Sequence, residues 1–404
     1  MGEFLRVMDW LGCARVRGYL HLLAFLNGLM LAWLVLSSTN GVDANGFLLG
    51  SDFISFWTVG HMLQGQANVY DSAAHIAAQR EFFASKDGYT AFFYPPSFLP
   101  FCWPLGFLAY FPALAVWLVS TAALYALAVR QWLCERTLAV PLWLLFLAFP
   151  AVPIVITHGQ TSFLVAALLG LGALLVRSRP VLAGVLFGLA TIKPQFGPLV
   201  PLALLLTREW KVVAAAAATA VLLGVGSALA FGPELASDWF AASARAQDAM
   251  AAGSVGFAKM MSPFAALRLL GAPAGAAYAL QGLVFAGVAI AVAKAAWGRP
   301  WSTGLAAIVL AGAPLVTPFV LDYDMVLLAF PMLWLAGEGL HSGFRDWERL
   351  ALLLTFVAPA FARPLAMNVG IPIMPLVLAL LLGVIVRRYF TCDIGEVAAP
   401  FPGR

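Results

Sequence analysis

An aspartate follows the first long apolar stretch almost at once, in the run Gly50-Ser51-Asp52-Phe53-Ile54-Ser55-Phe56-Trp57. A carboxylate placed there can take a proton from a hydroxyl nucleophile within hydrogen-bond reach. The same residue suits the N-cap of a following helix, and the two roles are compatible. Asp71, before Ser72, has the same pattern, and there the cap is the reading. Lys193 interrupts an apolar hairpin at Lys193-Pro194-Gln195. An ionisable residue inside such a segment is costly and marks a functional site. Lysine meets a phosphate as a point charge, with Gln195 adding a hydrogen bond. The competing reading has Lys193 snorkelling to the membrane surface.

Two further turns carry polar groups. The run Thr157-His158-Gly159-Gln160-Thr161-Ser162-Phe163 places His158 and Gln160 where they can reach a polar ligand, although a lone turn histidine is equally at home in solvent. Asp322-Tyr323-Asp324 has the D-x-D pattern that binds metal and nucleotide diphosphate in soluble sugar transferases. Here it borders an apolar run without an α/β domain around it, so a polar-ligand role is expected and a metal is not. Arg245, Lys259, Arg268 and Arg363 are cations for lipid headgroups or a phosphate. The four cysteines form no C-x-x-C pair and the five histidines no H-E-x-x-H motif. Neither a disulfide framework nor a zinc site is supported.

What must position these groups is a membrane bundle. The chain is 62% hydrophobic and 10% charged, with mean hydropathy +0.91, whereas a soluble domain carries about 25% charged residues. Lipid is the solvent for most of it. Apolar spans are expected near 19–38, 111–130, 138–156, 160–176, 181–192, 196–207, 212–231, 274–292, 301–320, 325–340, 350–368 and 372–388. Several reach the roughly 20 residues that cross a hydrocarbon core. The pair 181–192 and 196–207 is too short for two ordinary spans and reads as a hairpin broken at Lys193-Pro194. The first apolar segment lacks a cleavage-site pattern and reads as an anchor.

Charge placement gives an orientation. With a cytoplasmic N-terminus, 16 of the 23 Lys and Arg residues fall inside, among them Arg17, Arg136, Arg349, Arg388 and Arg404. The remaining 7 are Arg80, Lys86, Lys193, Arg245, Lys259, Arg268 and Arg363, as the positive-inside rule requires. Both termini are then cytoplasmic. Two long segments, 39–95 and 232–273, fall outside, and loops of such length are usually functional. Helices are expected from Phe53 towards Leu63, after Asp71-Ser72 to Phe83, and from Glu234 to Met250. Aromatic amphipathic helices of this kind suit the membrane interface. The proline-rich run FFYPPSFLPFCWPLGFLAYFP should dip into the interface before the second span.

Taken in order, GSDFISFWTVGHMLQGQANVYD, FYPPSFLPFCWPL, HGQTSFLVAALL, LAGVLFGLATIKPQFGPLVPL and TPFVLDYDMVLL resemble glycosyltransferase family 87. These are the polyprenol-phosphate-mannose-dependent α-mannosyltransferases and their bacterial relatives. The resemblance runs from roughly residue 45 to 335. It implies an all-α integral membrane protein of GT-C type: a single domain over 1–404, a multi-span bundle of about 11–12 membrane segments, and external amphipathic loop helices. It also implies a bacterial inner-membrane enzyme, active on the periplasmic or extracellular face. A hexosyl unit, by family precedent mannosyl, passes with inversion from a polyprenyl-phosphate donor to a glycolipid or glycan acceptor.

By that resemblance Asp52 is the general base. Lys193 is first choice for the donor phosphate, ahead of Arg245, Lys259 and Arg268. No cofactor and no nucleic acid are expected, and membrane lipids are the other partners. Better-known members carry histidines around the segment that here reads Asp322-Tyr323-Asp324, so proton handling or the acceptor should differ. The rival reading is a transporter or flippase for a lipid-linked saccharide, since broken helices with an ionisable residue also mark transport sites. A third is a non-catalytic scaffold. Internal repeats would favour transport, and none is evident.

Overall fold

The computed structural model describes residues 2–83, 89–136, 138 and 140–392. Lys86 and Arg404, assigned above to opposite sides, lie outside them. The described residues are helical, with three isolated bridges and no sheet. Seven helices among them are long and apolar enough to cross a membrane: Cys13–Leu36, Tyr110–Glu135, Trp210–Phe231, Ala274–Ala296, Asp322–Ser342, Glu348–Val369 and Met374–Thr391. Shorter apolar stretches, Ser162–Leu175, Pro180–Ile192 and Thr303–Leu315, pack among them. Ser162–Leu175 is buried on almost every face, as a helix apolar all round should be.

Each of the twelve apolar segments becomes helical, but not each becomes one span. Residues 138–156 were expected to form a single span. They form two helices, Leu142–Ala148 and Ala151–His158. Pro150 disfavours helix in the residue before it, and Phe149 is extended. Similarly, the segment 301–320 stops being helical at Leu315, three residues before Pro318.

The hairpin breaks where the sequence indicates. Its first arm ends at Ile192, a short 3-10 turn covers Pro194–Phe196, and the second arm is Leu199–Leu206. The first arm lies tightly on Trp210–Phe231. A Cβ on Gly184 would meet the Val212 carbonyl oxygen at 2.5 Å, and one on Gly188 would meet the Thr219 Cβ at 2.5 Å. Small residues one helical turn apart let helix backbones approach closely in lipid.

The segments 39–95 and 232–273 differ from a simple interfacial reading. Helix Phe53–Gln64 is buried from Phe53 to Gly60 and again at Met62 and Leu63, where one apolar side was expected. The proline-rich run explains this. It folds as three short turns, Pro96–Phe98, Leu99–Cys102 and Trp103–Phe107, which cover the helix. Helix Ser72–Phe82 turns polar residues inward. Gln79 donates to the Thr90 carbonyl at 2.6 Å and accepts from the Thr90 amide at 3.1 Å. Within 232–273, helix Leu235–Ala251 docks on the 39–95 segment through Trp239 Nε1, which donates to the Phe93 carbonyl at 3.1 Å.

At the opposite end of the bundle an ion pair is sealed. Arg388 and Glu348 are both 0% exposed and 2.5 Å apart. Arg388 also donates to the Glu338 carbonyl at 2.7 Å, while Arg136 meets the Glu338 carboxylate at 2.6 Å. These contacts tie helices Tyr110–Glu135, Ala329–Ser342, Glu348–Val369 and Met374–Cys392 together.

Candidate functional site

Asp52 sits at the N-cap of helix Phe53–Gln64, yet its side chain makes no capping bond. Asp71 does cap its helix, accepting from the Ala73 and Ala74 amides at 2.8 and 3.3 Å. The backbone around Asp52 is instead stapled to the turn that follows helix Ala151–His158. The Gly50 amide donates to the Thr157 carbonyl at 3.1 Å and the Asp52 amide to the His158 carbonyl at 3.0 Å. Tyr110 supports this from below, its hydroxyl 2.8 Å from the carbonyls of both Leu49 and Gly50. Gly159 makes the approach possible. It has φ +68, and a Cβ there would lie 2.6 Å from the Phe53 Cβ, so a side chain would be both strained and blocked.

The staple brings Gln160 onto Asp52. Gln160 Nε2 donates to Asp52 Oδ2 at 2.6 Å. The amide orientation follows from its neighbours. Gln160 Oε1 accepts from the Tyr94 hydroxyl at 3.0 Å and from the Thr161 amide at 3.1 Å, so its nitrogen must face the carboxylate. Tyr94 also meets the Thr161 hydroxyl at 2.9 Å. Burial raises the Tyr94 phenol well above its usual range; the Thr161 bond opposes this, and Asp324 and Asp52 add to it. Tyr94 thus stays protonated and orients Gln160. Asp52 Oδ1 has no partner among the described residues, and Asp52 is only half-buried.

Lys193 does not snorkel. It is 4% exposed, and its ammonium forms an ion pair with Asp324 Oδ1. The same oxygen accepts from the Ser162 hydroxyl at 2.6 Å, while Asp324 Oδ2 accepts from the Leu321 amide at 3.2 Å. Rings of Tyr323 and Phe196 flank the ammonium at 5.1 and 5.4 Å, a cation–π arrangement favoured where water is scarce. Asp322 is 2% exposed and pairs with Arg363 at 3.3 Å. Tyr323, between them in sequence, lies 5.9 Å ring to ring from His158. The His158 Nδ1 is 2.9 Å from the Ile154 carbonyl. The Thr157 hydroxyl lies 3.1 Å from the same nitrogen.

Three clusters therefore converge: Asp52 with Gln160 and Tyr94, Asp324 with Lys193 and Ser162, and Asp322 with Arg363. Each of the latter two carboxylates is matched to a cation. Asp52 has none among the described residues. The described residues include no group of three or more His, Cys, Asp or Glu side chains converging as metal ligands.

A model of glycosyltransferase family 87 matches residues 92–318, more than half of the chain. The chain belongs to that family. It is an integral membrane glycosyltransferase. No curated protein and no solved structure matches it. The family 87 match takes in Tyr94, His158, Gln160, Ser162 and Lys193. Asp52, Asp322, Asp324 and Arg363 lie outside the matched stretch and join the site through the contacts above.

The other cations named from the sequence stand apart to different degrees. Lys259 is exposed and has no described partner. It nevertheless lies on the rim, because its neighbour Met260 bridges to Leu321 and the Met261 amide donates to the Val320 carbonyl at 2.8 Å. Arg245 is exposed, 3.4 Å from the Tyr70 carbonyl. Arg268 is used within the segment 232–273. It donates to the Ala272 and Ala251 carbonyls at 2.8 and 3.2 Å and stacks over Phe257. Gln195 is half-buried and makes no described hydrogen bond. Sequence reasoning missed Tyr94 and Ser162 as site residues and gave Arg363 no specific role. An arginine flanked by Pro359 and Pro364 within one apolar helix was the available signal.

Proposed function

We propose that this family 87 enzyme moves a hexosyl unit, by family precedent mannosyl, from a polyprenyl-phosphate donor to a glycolipid or glycan hydroxyl. The chemistry takes place on the non-cytoplasmic face of a GT-C type bundle. The observation that carries the reading is the unmatched Asp52 carboxylate, held through one oxygen by Gln160. A carboxylate held through one oxygen leaves the other free to accept a proton from a hydroxyl in hydrogen-bond reach.

Asp52 takes the proton of the acceptor hydroxyl as that oxygen attacks the anomeric carbon. The bond from that carbon to the phosphate oxygen breaks, and the electron pair leaves with polyprenyl phosphate. Attack opposite the leaving group inverts the configuration. Charge grows on the phosphate as the bond breaks, so cations aimed there favour the transition state over the ground state. Lys193 and Arg363 are the two in the cluster, each held in place by a carboxylate, and Lys259 on the rim is a third. A lipid-linked donor arrives within the bilayer and calls for no nucleotide-binding domain. The positive-inside rule puts the end carrying Arg136, Arg349 and Arg388 in the cytoplasm, and the Asp52 end outside.

The test is reconstitution of the purified protein in liposomes with a radiolabelled polyprenyl-phosphate sugar and lipid or glycan acceptors. A new acid-stable glycosidic product is expected. Movement of label across the bilayer without a new glycosidic bond would replace this reading with a flippase.

A further inference from the structure

A large apolar cavity lies far from Asp52. It has a volume of about 710 Å³ and is lined on one side by helix Cys13–Leu36, which packs on Leu142–Ala148. Its walls are apolar, with Leu20, Leu23, Phe146, Met332, Leu352 and Phe356 among them. The volume falls within the roughly 300–1,000 Å³ typical of ligand sites. Packing of the N-terminal helix against protein is correspondingly thin. Of its 24 residues only Leu20 and Ala24 are buried.

The mouth of this cavity is not apolar. Trp10, Arg17 and Arg349 line it. Trp10 Nε1 and Arg349 Nε are buried without a hydrogen-bond partner, although such donors are normally satisfied. Arg17 is exposed and its guanidinium has no described partner. Arg15 is tied to the Trp10 carbonyl at 2.6 Å. Arg349 is paired with Asp9, which is 77% exposed. Arg17 and Arg349 thus put positive charge on the wall of an otherwise apolar chamber. That is the pattern of an amphiphile with an anionic head.

We infer that the cavity binds an anionic phospholipid, its acyl chain among the apolar residues and its phosphate between Arg17, Arg349 and Trp10. The site is distinct from the reaction centre. Tyr110, at one end of helix Tyr110–Glu135, braces the segment before Asp52. Beyond the other end, Arg136 meets Glu338, two residues from the cavity-lining Leu340. A helix of 26 residues spans about 39 Å. A polyprenyl donor with its phosphate at Arg349 would therefore hold its sugar out of reach of Asp52, and the donor is not the occupant. The lipid would act as a wedge, coupling the N-terminal helix to helices Ala329–Ser342 and Glu348–Val369.

Native mass spectrometry tests this. The full chain is delipidated in mild detergent and then offered phosphatidylglycerol or phosphatidylcholine. One phosphatidylglycerol should be retained in preference to phosphatidylcholine, and its addition should raise Tm. Arg17→Gln alters an exposed side chain without a partner and should lower retention about fivefold, the scale of one arginine facing an anionic lipid. Ala336→Phe fills the chamber from a half-buried wall position and should abolish retention while Tm without lipid holds or rises. Equal binding of both lipids would overturn the inference. So would full retention in Ala336→Phe, or recovery of polyprenyl phosphate as the bound species.

Discussion

Asp324 and Asp52 stand in one cluster and are built in opposite ways. Asp324 is nearly sealed, and its oxygens are taken by Lys193, Ser162 and the Leu321 amide. Asp52 is half-exposed, held through one oxygen by an uncharged amide. The difference separates two uses of a carboxylate in a membrane protein. One neutralises and positions a buried lysine; the other is kept free to take a proton. The same contrast appears between the two ends of the bundle. The Arg388–Glu348 pair is wholly enclosed and structural, whereas Asp52 has no cation partner among the described residues.

The contrast breaks most visibly if the buried pair is split. Lys193→Met strands the Asp324 carboxylate and should cost about 3–5 kcal/mol, read as a large fall in Tm in detergent. The double variant Lys193→Met/Asp324→Leu removes both charges and should recover most of that stability while transfer activity stays lost. If Lys193→Met alone melts normally, Asp324 is not committed to it. Glu348→Ala at the far end should destabilise by a similar amount, with near-normal turnover in the protein that remains folded.

Gln160→Ala probes the opposite arm. It removes the group that aims Asp52, so kcat should drop by about a hundredfold with little change in KM. A shift confined to KM would move Gln160 from positioning the base to binding substrate. Arg363→Gln should raise the donor KM more than the acceptor KM, since it also leaves Asp322 without a cation. Equal effects on both would remove Arg363 from the phosphate role.

The smallest effect concerns pH. Burial lowers the His75 pKa from 6.5 to about 4. The unfolded chain therefore binds the extra proton first, and stability falls as pH drops from about 6.5 towards about 4. Above that window His75 contributes no pH dependence. Tm against pH should slope less between 4 and 6.5 in His75→Gln than in the natural protein; parallel curves would contradict the assignment.

Much of this was legible in the sequence because the bilayer leaves few options. Twelve apolar segments and the break at Lys193-Pro194 each reflect a local constraint. Asp52 stood out as a carboxylate at the start of the first aromatic helix after the first span. What the sequence could not give was pairing. Lys193 and Asp324 are 131 residues apart, and Asp52 and Gln160 are 108 apart. Only packing decides which charges meet. Lys193 read as a free cation for that reason. Tyr94 looked like part of a proline-rich connector, because its value lies in where the stapled turn brings Gln160.

The most direct test compares Asp52→Asn with Asp324→Asn in transfer of a labelled sugar from polyprenyl phosphate, each variant checked by Tm. Asp52→Asn is expected to lose activity by about 10²–10⁴-fold at an unchanged Tm, whereas Asp324→Asn should melt markedly lower. Near-normal transfer by Asp52→Asn would contradict its role as the base, whatever the family.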